Sequence, residues 1–197
     1  THLHDAGTAC IAIQGASVGL VARSSNTSAC GTDAIWARQT SIELVDHTIG
    51  SGTSQGLTLA DVSGTIRNLD ASHHNGTRAS LFLEEQNGGL VLEGLELNAT
   101  GSTPGLDVLR SRNVRVTNVR VTGAPEVHDD ASAGTLVNLT ALGHGTGTGV
   151  LVEHGRGSGA VRILESNVSG YGTGLATRGV TGESSNLPVH SNGTSWH

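Results

Sequence analysis

The chain has 197 residues, of which 29 are glycine and only 2% are aromatic, and it contains no lysine and no methionine. Its net charge of −6 is spread along the chain without a basic patch, so we expect no nucleic-acid partner. No stretch approaches the roughly 18 consecutive apolar residues of a membrane span, so we expect no membrane insertion. The length predicts a single domain over residues 1–197.

Two sets of short β-strand patterns alternate along the chain. The first set shows period-2 alternation of apolar residues and lies at residues 10–13, 34–37, 56–59, 80–83, 105–108, 149–152 and 174–177. The second set has apolar anchor residues at Val18, Ile42, Ile66, Leu90, Val114 and Val161. The first four intervals between these anchors are equal, at about 24 residues each. The last interval is roughly twice as long and leaves room for one more turn, anchored at Leu136 or Val137.

A repeat of about 24 residues, built of two or three short strands without a helix, predicts a parallel β-solenoid. We expect about seven to eight turns over residues 9–180, followed by a polar segment at 181–197. Leu90 and Leu92 then stack on Val114 and Val116 of the next turn, about 4.8 Å away. A leucine-rich-repeat solenoid has a similar period, but it requires more leucine, a fixed asparagine position and a helical convex side.

Two segments carry a resemblance to a known fold family. Residues 105–123 read GLDVLRSRNVRVTNVRVTG, and residues 170–175 read GYGTGL. With the repeat over residues 9–180, they resemble the coils of right-handed parallel β-helix proteins, the pectate-lyase-like superfamily and its secreted surface relatives. The resemblance implies an all-β fold, a right-handed parallel β-helix. It implies little about function, because lyases, hydrolases, adhesins and fibres share this fold.

Six Asn-X-Ser/Thr triplets predict a chain that carries N-linked glycans, since chance gives roughly two in a chain of this composition. They begin at Asn26, Asn75, Asn98, Asn138, Asn167 and Asn192. The alternative is that Asn, Ser and Thr simply accumulate at the corners of a β-helix. Four of the six follow their anchor by six to nine residues, so we expect their sugars to form a ridge along one corner, at Asn26, Asn75, Asn98 and Asn167.

The orientation of Asn138 depends on which neighbours face the core. If Leu136 is the inward anchor, period-2 alternation turns Asn138 into the core, where it cannot carry a glycan. If Val137 and Leu139 face inward, Asn138 faces solvent. The spacing to the neighbouring anchors favours the second register.

The two cysteines, Cys10 and Cys30, are too few for a metal cluster. In an oxidising compartment they could join in a disulfide that closes a loop of about 20 residues, or pair with a neighbouring subunit. Together with the glycosylation triplets, they predict an extracellular or cell-surface location.

One set of residues occurs in an order that resembles polygalacturonase-like glycoside hydrolases: Asp129–Asp130, His144 between two glycines, and Arg162. Such enzymes use paired carboxylates as acid and base. The family's Asn-Thr-Asp element and its closing Lys are missing here, and the aspartates lie less than one turn from His144. We therefore interpret these residues as corner positions and predict no catalytic residue.

The remaining candidates for chemistry are interpreted structurally. Ten histidines, including His2, His4, His73 and His74, show no metal-ligand spacing, so we expect no metal and no cofactor. Trp36 and Phe82 lie in strand patterns, where core packing is the expected role.

The ends of a β-solenoid leave backbone groups unpaired and core exposed, and no capping helix is recognisable at either end of the pattern. We therefore expect a non-enzymatic extracellular structural protein that stacks end to end with copies of itself into a filament, fibril or cell-surface array. The alternatives are a domain that binds or cleaves carbohydrate, and a monomeric adhesin module.

Overall fold

The computed structural model describes residues 2–4, 8–52, 54–86, 89–99, 103–112, 114–123, 127–130, 134–144, 146–153, 161–178, 183–185 and 189–191. All of its regular elements are β-strands, and no helix occurs within these ranges. The strands are β1 (His2–His4), β2 (Ile11–Gln14), β3 (Gly19–Ser28), β4 (Asp33–Arg38), β5 (Ser41–Ile49), β6 (Gln55–Ala60), β7 (Ser63–Ala71), β8 (Leu81–Glu84), β9 (Leu90–Ala99), β10 (Leu106–Leu109), β11 (Val114–Gly123), β12 (Val127–Asp130), β13 (Gly134–Leu142), β14 (Thr148–Glu153), β15 (Val161–Leu164), β16 (Asn167–Tyr171), β17 (Thr173–Arg178), β18 (Glu183–Ser185) and β19 (Val189–Ser191).

The strands form two parallel sheets, with alternate strands of the chain in each. Sheet A has the order β1-β3-β5-β7-β9-β11-β13-β15-β18, with β16 between β13 and β19. Sheet B has the order β17-β14-β12-β10-β8-β6-β4-β2. Each turn therefore contributes a short strand to sheet B and a longer strand to sheet A. This arrangement is the predicted parallel β-helix.

The stack has about six turns, slightly fewer than the seven to eight predicted. Six of the long strands of sheet A run unbroken, namely β3, β5, β7, β9, β11 and β13. In the next turn the corresponding segment is divided into β15 and β16, with Glu165 in a left-handed conformation between them (φ 51°).

Residues with positive φ recur at two places in the described turns. One series follows the short strands of sheet B, at Gln39, Asp61, Glu85 and Arg110. The other lies within the long strands of sheet A, at Ser24, Asp46, Asn68, Gly94, Asn118 and Asn138. We call this second series the left-handed column. Two side-chain hydrogen bonds of 2.8 Å link neighbours along it, from Asn68 Nδ2 to Asp46 Oδ1 and from Asn138 Nδ2 to Asn118 Oδ1.

The left-handed column changes the burial pattern of the long strands. A single left-handed residue interrupts period-2 alternation, so core residues on its two sides are three positions apart. Leu92 and Leu95 are both buried around Gly94, and Leu136 and Leu139 around Asn138. The side chain of Asn138 is exposed. Its outward orientation agrees with the second of the two predicted registers, but the buried pair is Leu136 and Leu139, with Val137 half-buried.

The uniform register predicted from the anchors is wrong in the first half of the stack. Ile42 pairs with Gly64 instead of Ile66, and Ile66 pairs with Leu92 instead of the next predicted anchor. A two-residue displacement keeps the same side chains facing inward, so the hydrophobic pattern cannot reveal it. Val18, predicted as an anchor, precedes β3 and is 48% exposed.

The interior is a continuous column of aliphatic side chains between the two sheets. The predicted stacking of Leu92 on Val116 is confirmed, and both residues are buried. Gln86 is a polar exception and is fully buried at a corner. Its Oε1 accepts a hydrogen bond from the Val62 N–H (2.8 Å), and its Nε2 donates to the Leu59 carbonyl (2.6 Å), so it joins two turns.

Near the C-terminal end of the stack, the interior is filled by Tyr171, which is fully buried. A Cβ atom on Gly143 or Gly149 would collide with its ring. Gly143 and Gly149 therefore make room for an aromatic side chain.

Candidate functional site

The first candidate site is the N-terminal edge, defined as β2 and residues 19–25 of β3. β2 is the last strand of sheet B. On the side of β3 that faces away from β5, the described ranges contain only β1, which pairs with residues 26–28 of β3. Within the described ranges, no strand pairs with the outer side of β2 or of residues 19–25. A parallel edge of this kind can accept a further strand.

Several side chains of the N-terminal edge are apolar and remain partly exposed to solvent. Ile11, Leu20 and Ala22 are partly buried and pack against the core. Val21 is 66% exposed, the highest value for a large apolar residue in the described part of the chain. Covering this edge with a further turn would remove apolar surface from water.

A polar cluster lies directly beneath the N-terminal edge. His47 of β5 is 1% exposed, and its two ring nitrogens contact hydroxyls of β3. His47 Nδ1 is 2.8 Å from Ser25 Oγ, and His47 Nε2 is 3.2 Å from Thr27 Oγ1. Burial lowers the pKa of His47 from 6.5 to about 4, because the charged imidazolium loses its hydration.

A disulfide closes the first turn. Cys10 and Cys30 are bonded within the chain, with a Cα–Cα distance of 5.4 Å, and Cys30 is fully buried. The predicted pairing is thus confirmed in its intrachain form. The closed loop contains all of β2 and β3, so the N-terminal edge lies within a covalent ring.

The second candidate site is a groove on the outer face of sheet B, with a volume of about 230 Å³. It is lined by Gln55, Arg78, Ala79, Phe82, Thr103, Pro104 and Asp107. The Phe82 side chain is half-buried and faces outward, as does Trp36 two strands away. The prediction that these two aromatic residues pack in the core is wrong, because they alternate with the inward residues of their strands.

A carboxylate–imidazole pair extends this groove to the next turn. Asp107 of β10 and His128 of β12 occupy paired positions, and Asp107 Oδ1 is 2.9 Å from His128 Nδ1. The pair is about one quarter exposed. Sequence reasoning missed both residues, because only the 21-residue register of this turn brings them together.

The residues that resemble a hydrolase set are not gathered on one face. Asp129 and Asp130 belong to β12 in sheet B, whereas Arg162 belongs to β15 in sheet A. His144 is exposed in the connection after β13. These residues therefore do not form a common site, although their order along the chain resembles that of the hydrolases.

Five of the six predicted glycosylation sites lie in the described ranges, and Asn192 lies outside them. Asn75, Asn138 and Asn167 are exposed, and Asn26 is half-buried. Following the register through sheet A, Asn26 and Asn167 occupy the same position in β3 and β16. Two of the four positions predicted for the ridge thus align, whereas Asn98 lies two residues beyond the aligned position in β9 and Asn75 lies in the loop after β7. Glycosylation itself stays a prediction.

The amide of Asn98, like that of Asn138, makes a hydrogen bond within the stack. The side chain is half-buried, and Nδ2 donates a hydrogen bond to the His74 carbonyl (2.9 Å). Ser80 Oγ in turn donates to the Asn98 carbonyl (2.5 Å). These bonds hold the loop after β7 against β9, so a glycan at Asn98 would have to leave one amide N–H directed at His74.

No protein-family model, curated protein or solved structure matches the chain at a significant level. The pectate-lyase-like relationship therefore has no support beyond the resemblance of the coils. In the part of the chain that the structure describes, a helix able to cross a membrane is absent. The same residues contain no group of three His, Cys, Asp or Glu side chains placed to hold a metal ion.

Proposed function

We propose that the protein is a non-enzymatic, extracellular, N-glycosylated β-helix subunit that stacks end to end with further copies into a filament or cell-surface array. The observation that carries the proposal is the N-terminal edge, where the outer sides of β2 and of residues 19–25 pair with no described strand. The half-buried apolar residues of that edge favour coverage by a further turn.

The other end of sheet B supplies a matching surface. β17 is the terminal strand there, with Leu175 buried in the interior and Ala176 on the outer face. If a second copy continues the register, Leu175 stacks on Ile11 and Ala176 on Ala12. In sheet B, apolar positions then meet apolar positions, and a head-to-tail contact that repeats without closing gives a filament.

Three of the predicted glycan sites are compatible with this assembly. Asn75, Asn138 and Asn167 are exposed in later turns, whereas Asn26 lies in β3 next to the N-terminal edge and is half-buried. Sugars there would limit sideways association and leave the axial contact open. The intact mass of protein secreted from a glycosylating host, before and after enzymatic deglycosylation, tests this part of the proposal.

Two lysine substitutions test the axial contact. Ile13 faces inward and is half-buried at the open end, so a lysine there reaches solvent in a single copy but is buried in a stack. Ala12 faces outward, so Ala12→Lys has the same charge change and remains solvated in both states. We expect filaments in electron micrographs of the parent and of Ala12→Lys, and single particles for Ile13→Lys. A parent protein that stays monodisperse at every concentration contradicts the proposal.

A second candidate function is carbohydrate binding in the groove of sheet B. An aromatic ring, Phe82, lies among polar groups of Arg78 and Asp107, and this combination suits the apolar face and polar rim of a sugar. Glycan-binding measurements with the parent and Phe82→Ala test this candidate. Activity on uronate polymers that is lost on changing Asp130 or His144 favours the cleaving alternative.

A further inference from the structure

The polar cluster of Ser25, Thr27 and His47 joins the N-terminal edge to the next turn. From the geometry we infer that this cluster is an acid-sensitive latch, and that acid releases the disulfide-closed first turn from the rest of the stack. The consequence for assembly rests on the function proposed above, because release removes the N-terminal edge that stacking would use.

The cluster is the polar part of an otherwise apolar contact between turns. Ser25 pairs with His47, and His47 pairs with Leu69 in the following turn. Beyond Leu69 the same position is occupied by buried aliphatic residues, namely Leu95, Val119 and Leu139. At this position of the long strands, hydroxyl–imidazole contacts therefore join the first turn to the second, whereas apolar packing joins the later turns to one another.

No charged side chain of the flanking strands compensates a proton on His47. The charged residues of β3, β5 and β7 all lie on the outer surface, namely Arg23, Glu43, Asp46, Arg67 and Asp70. Arg23 pairs with Glu43 (2.5 Å), and the Asp46 carboxylate accepts a hydrogen bond from Asn68. An imidazolium at position 47 would thus be buried against two hydroxyls and aliphatic groups.

The hydroxyls can rotate to accept hydrogen bonds from both ring nitrogens, so protonation need not break the contacts themselves. Its cost is the burial of a charge without a counter-ion. The shortest route to hydration is separation of β3 from β5, since β3 is flanked on its other side only by the three-residue β1 within the described ranges. The Cys10–Cys30 disulfide keeps the released turn closed on itself.

Proton linkage gives the direction and the size of the effect of pH on the opening of the first turn. A histidine whose pKa is lowered by folding stabilises the closed turn above pH 6.5, and this stabilisation is lost as the pH falls towards 4. With an ordinary pKa in the open turn, the equilibrium constant for opening rises roughly 70-fold between pH 7.5 and pH 4.5.

The fluorescence of Trp36 should report this opening, because Trp36 is half-buried on β4 and pairs with Ala12 of β2. Trp196→Phe leaves it as the single tryptophan of the chain. In this background at low protein concentration, we expect its fluorescence to change reversibly between pH 6 and pH 4. Far-UV circular dichroism and amide protection of β7 to β11 should persist over the same range.

The matched variant is His47→Gln, which retains a donor and an acceptor but cannot be protonated in this range. It should lose most of the pH dependence of the fluorescence, whereas His2→Asn/His4→Asn, which removes the histidines of β1, should retain it. An identical transition in the parent and in His47→Gln overturns the latch, as does loss of the whole circular dichroism signal at the same pH.

Sedimentation of concentrated protein at pH 7.5 and pH 4.5 provides the second readout. Assembly at pH 7.5 that dissociates at pH 4.5 in the parent, but persists in His47→Gln, supports the role of the latch in stacking. If no assembly occurs at either pH while the fluorescence transition is present, the proposed function fails and the latch stands.

Discussion

Replacing Gly64 by alanine tests the register on which the description of the core depends. Gly64 has φ +113° and pairs with Ile42 of the preceding turn. A Cβ atom at position 64 would overlap the carbonyl oxygen of Ile42. Gly89 is the matched control, because it also has positive φ (+74°) but has no atom within 4 Å of the position of a Cβ.

The expected cost has two parts. A non-glycine residue in the Gly64 conformation is strained by about 1–3 kcal/mol. Relief of the overlap requires β7 to move by about 1 Å, which breaks at least one ladder hydrogen bond and leaves buried groups unsatisfied, at about 1–3 kcal/mol. Gly64→Ala should therefore cost about 2–6 kcal/mol, whereas Gly89→Ala should cost about 1–3 kcal/mol because only the backbone strain applies.

Urea denaturation of the two variants, followed by far-UV circular dichroism, measures this difference in the free energy of unfolding. Because each turn of a solenoid contacts only its neighbours, hydrogen exchange should place the loss in β5 and β7. If Gly64→Ala costs no more than Gly89→Ala, position 64 does not lie beneath Ile42, and the pairing of β5 with β7 described above is wrong.

Three further predictions concern single contacts. Gln86→Leu should lower the free energy of unfolding by about 3 kcal/mol, because the Val62 N–H and the Leu59 carbonyl lose their partner, whereas exposed Gln14→Leu should change it by less than about 0.5 kcal/mol; urea denaturation measures both. Gly149→Ala should cost about 1–3 kcal/mol, because its Cβ would overlap Val168 Cγ1 and the Tyr171 ring, and near-ultraviolet circular dichroism should show the altered tyrosine environment; an unchanged signal would mean that the ring does not pack against Gly149. Cys10→Ala/Cys30→Ala should cost about 3 kcal/mol, seen as faster hydrogen exchange of β2 and β3; equal loss of protection in β11 would mean that the turns unfold together.

The parallel β-helix could be predicted because its information is local and repeated. Short alternating patterns such as Leu90–Leu92 and Val114–Val116 recur in every turn, and each pattern identifies an inward face without reference to the others. The disulfide was predictable in part: Cys10 and Cys30 are the only cysteines and their separation is close to one turn, but the sequence left pairing with a neighbouring subunit open.

The candidate sites were less predictable because each depends on which residues of different turns are neighbours. Asp107 and His128 meet only through a 21-residue step, and Ser25 and His47 through a 22-residue step. Neither step equals the average period. The outward orientation of Trp36 and Phe82 was missed as well, because knowing that a residue lies in a strand does not tell which face of the strand it is on.

The sequence by itself determined that the chain is all-β, that its short strands stack in successive turns of one repeat, and which side chains of each strand are apolar. Only the tertiary structure decided the register between turns, the outward face of sheet B and the burial of His47 and Tyr171. The physical reason is that a shift of two residues leaves the inward and outward faces of a strand unchanged. Left-handed residues such as Asn138 then alter the spacing within a strand, and their effect is settled by packing against the turns above and below.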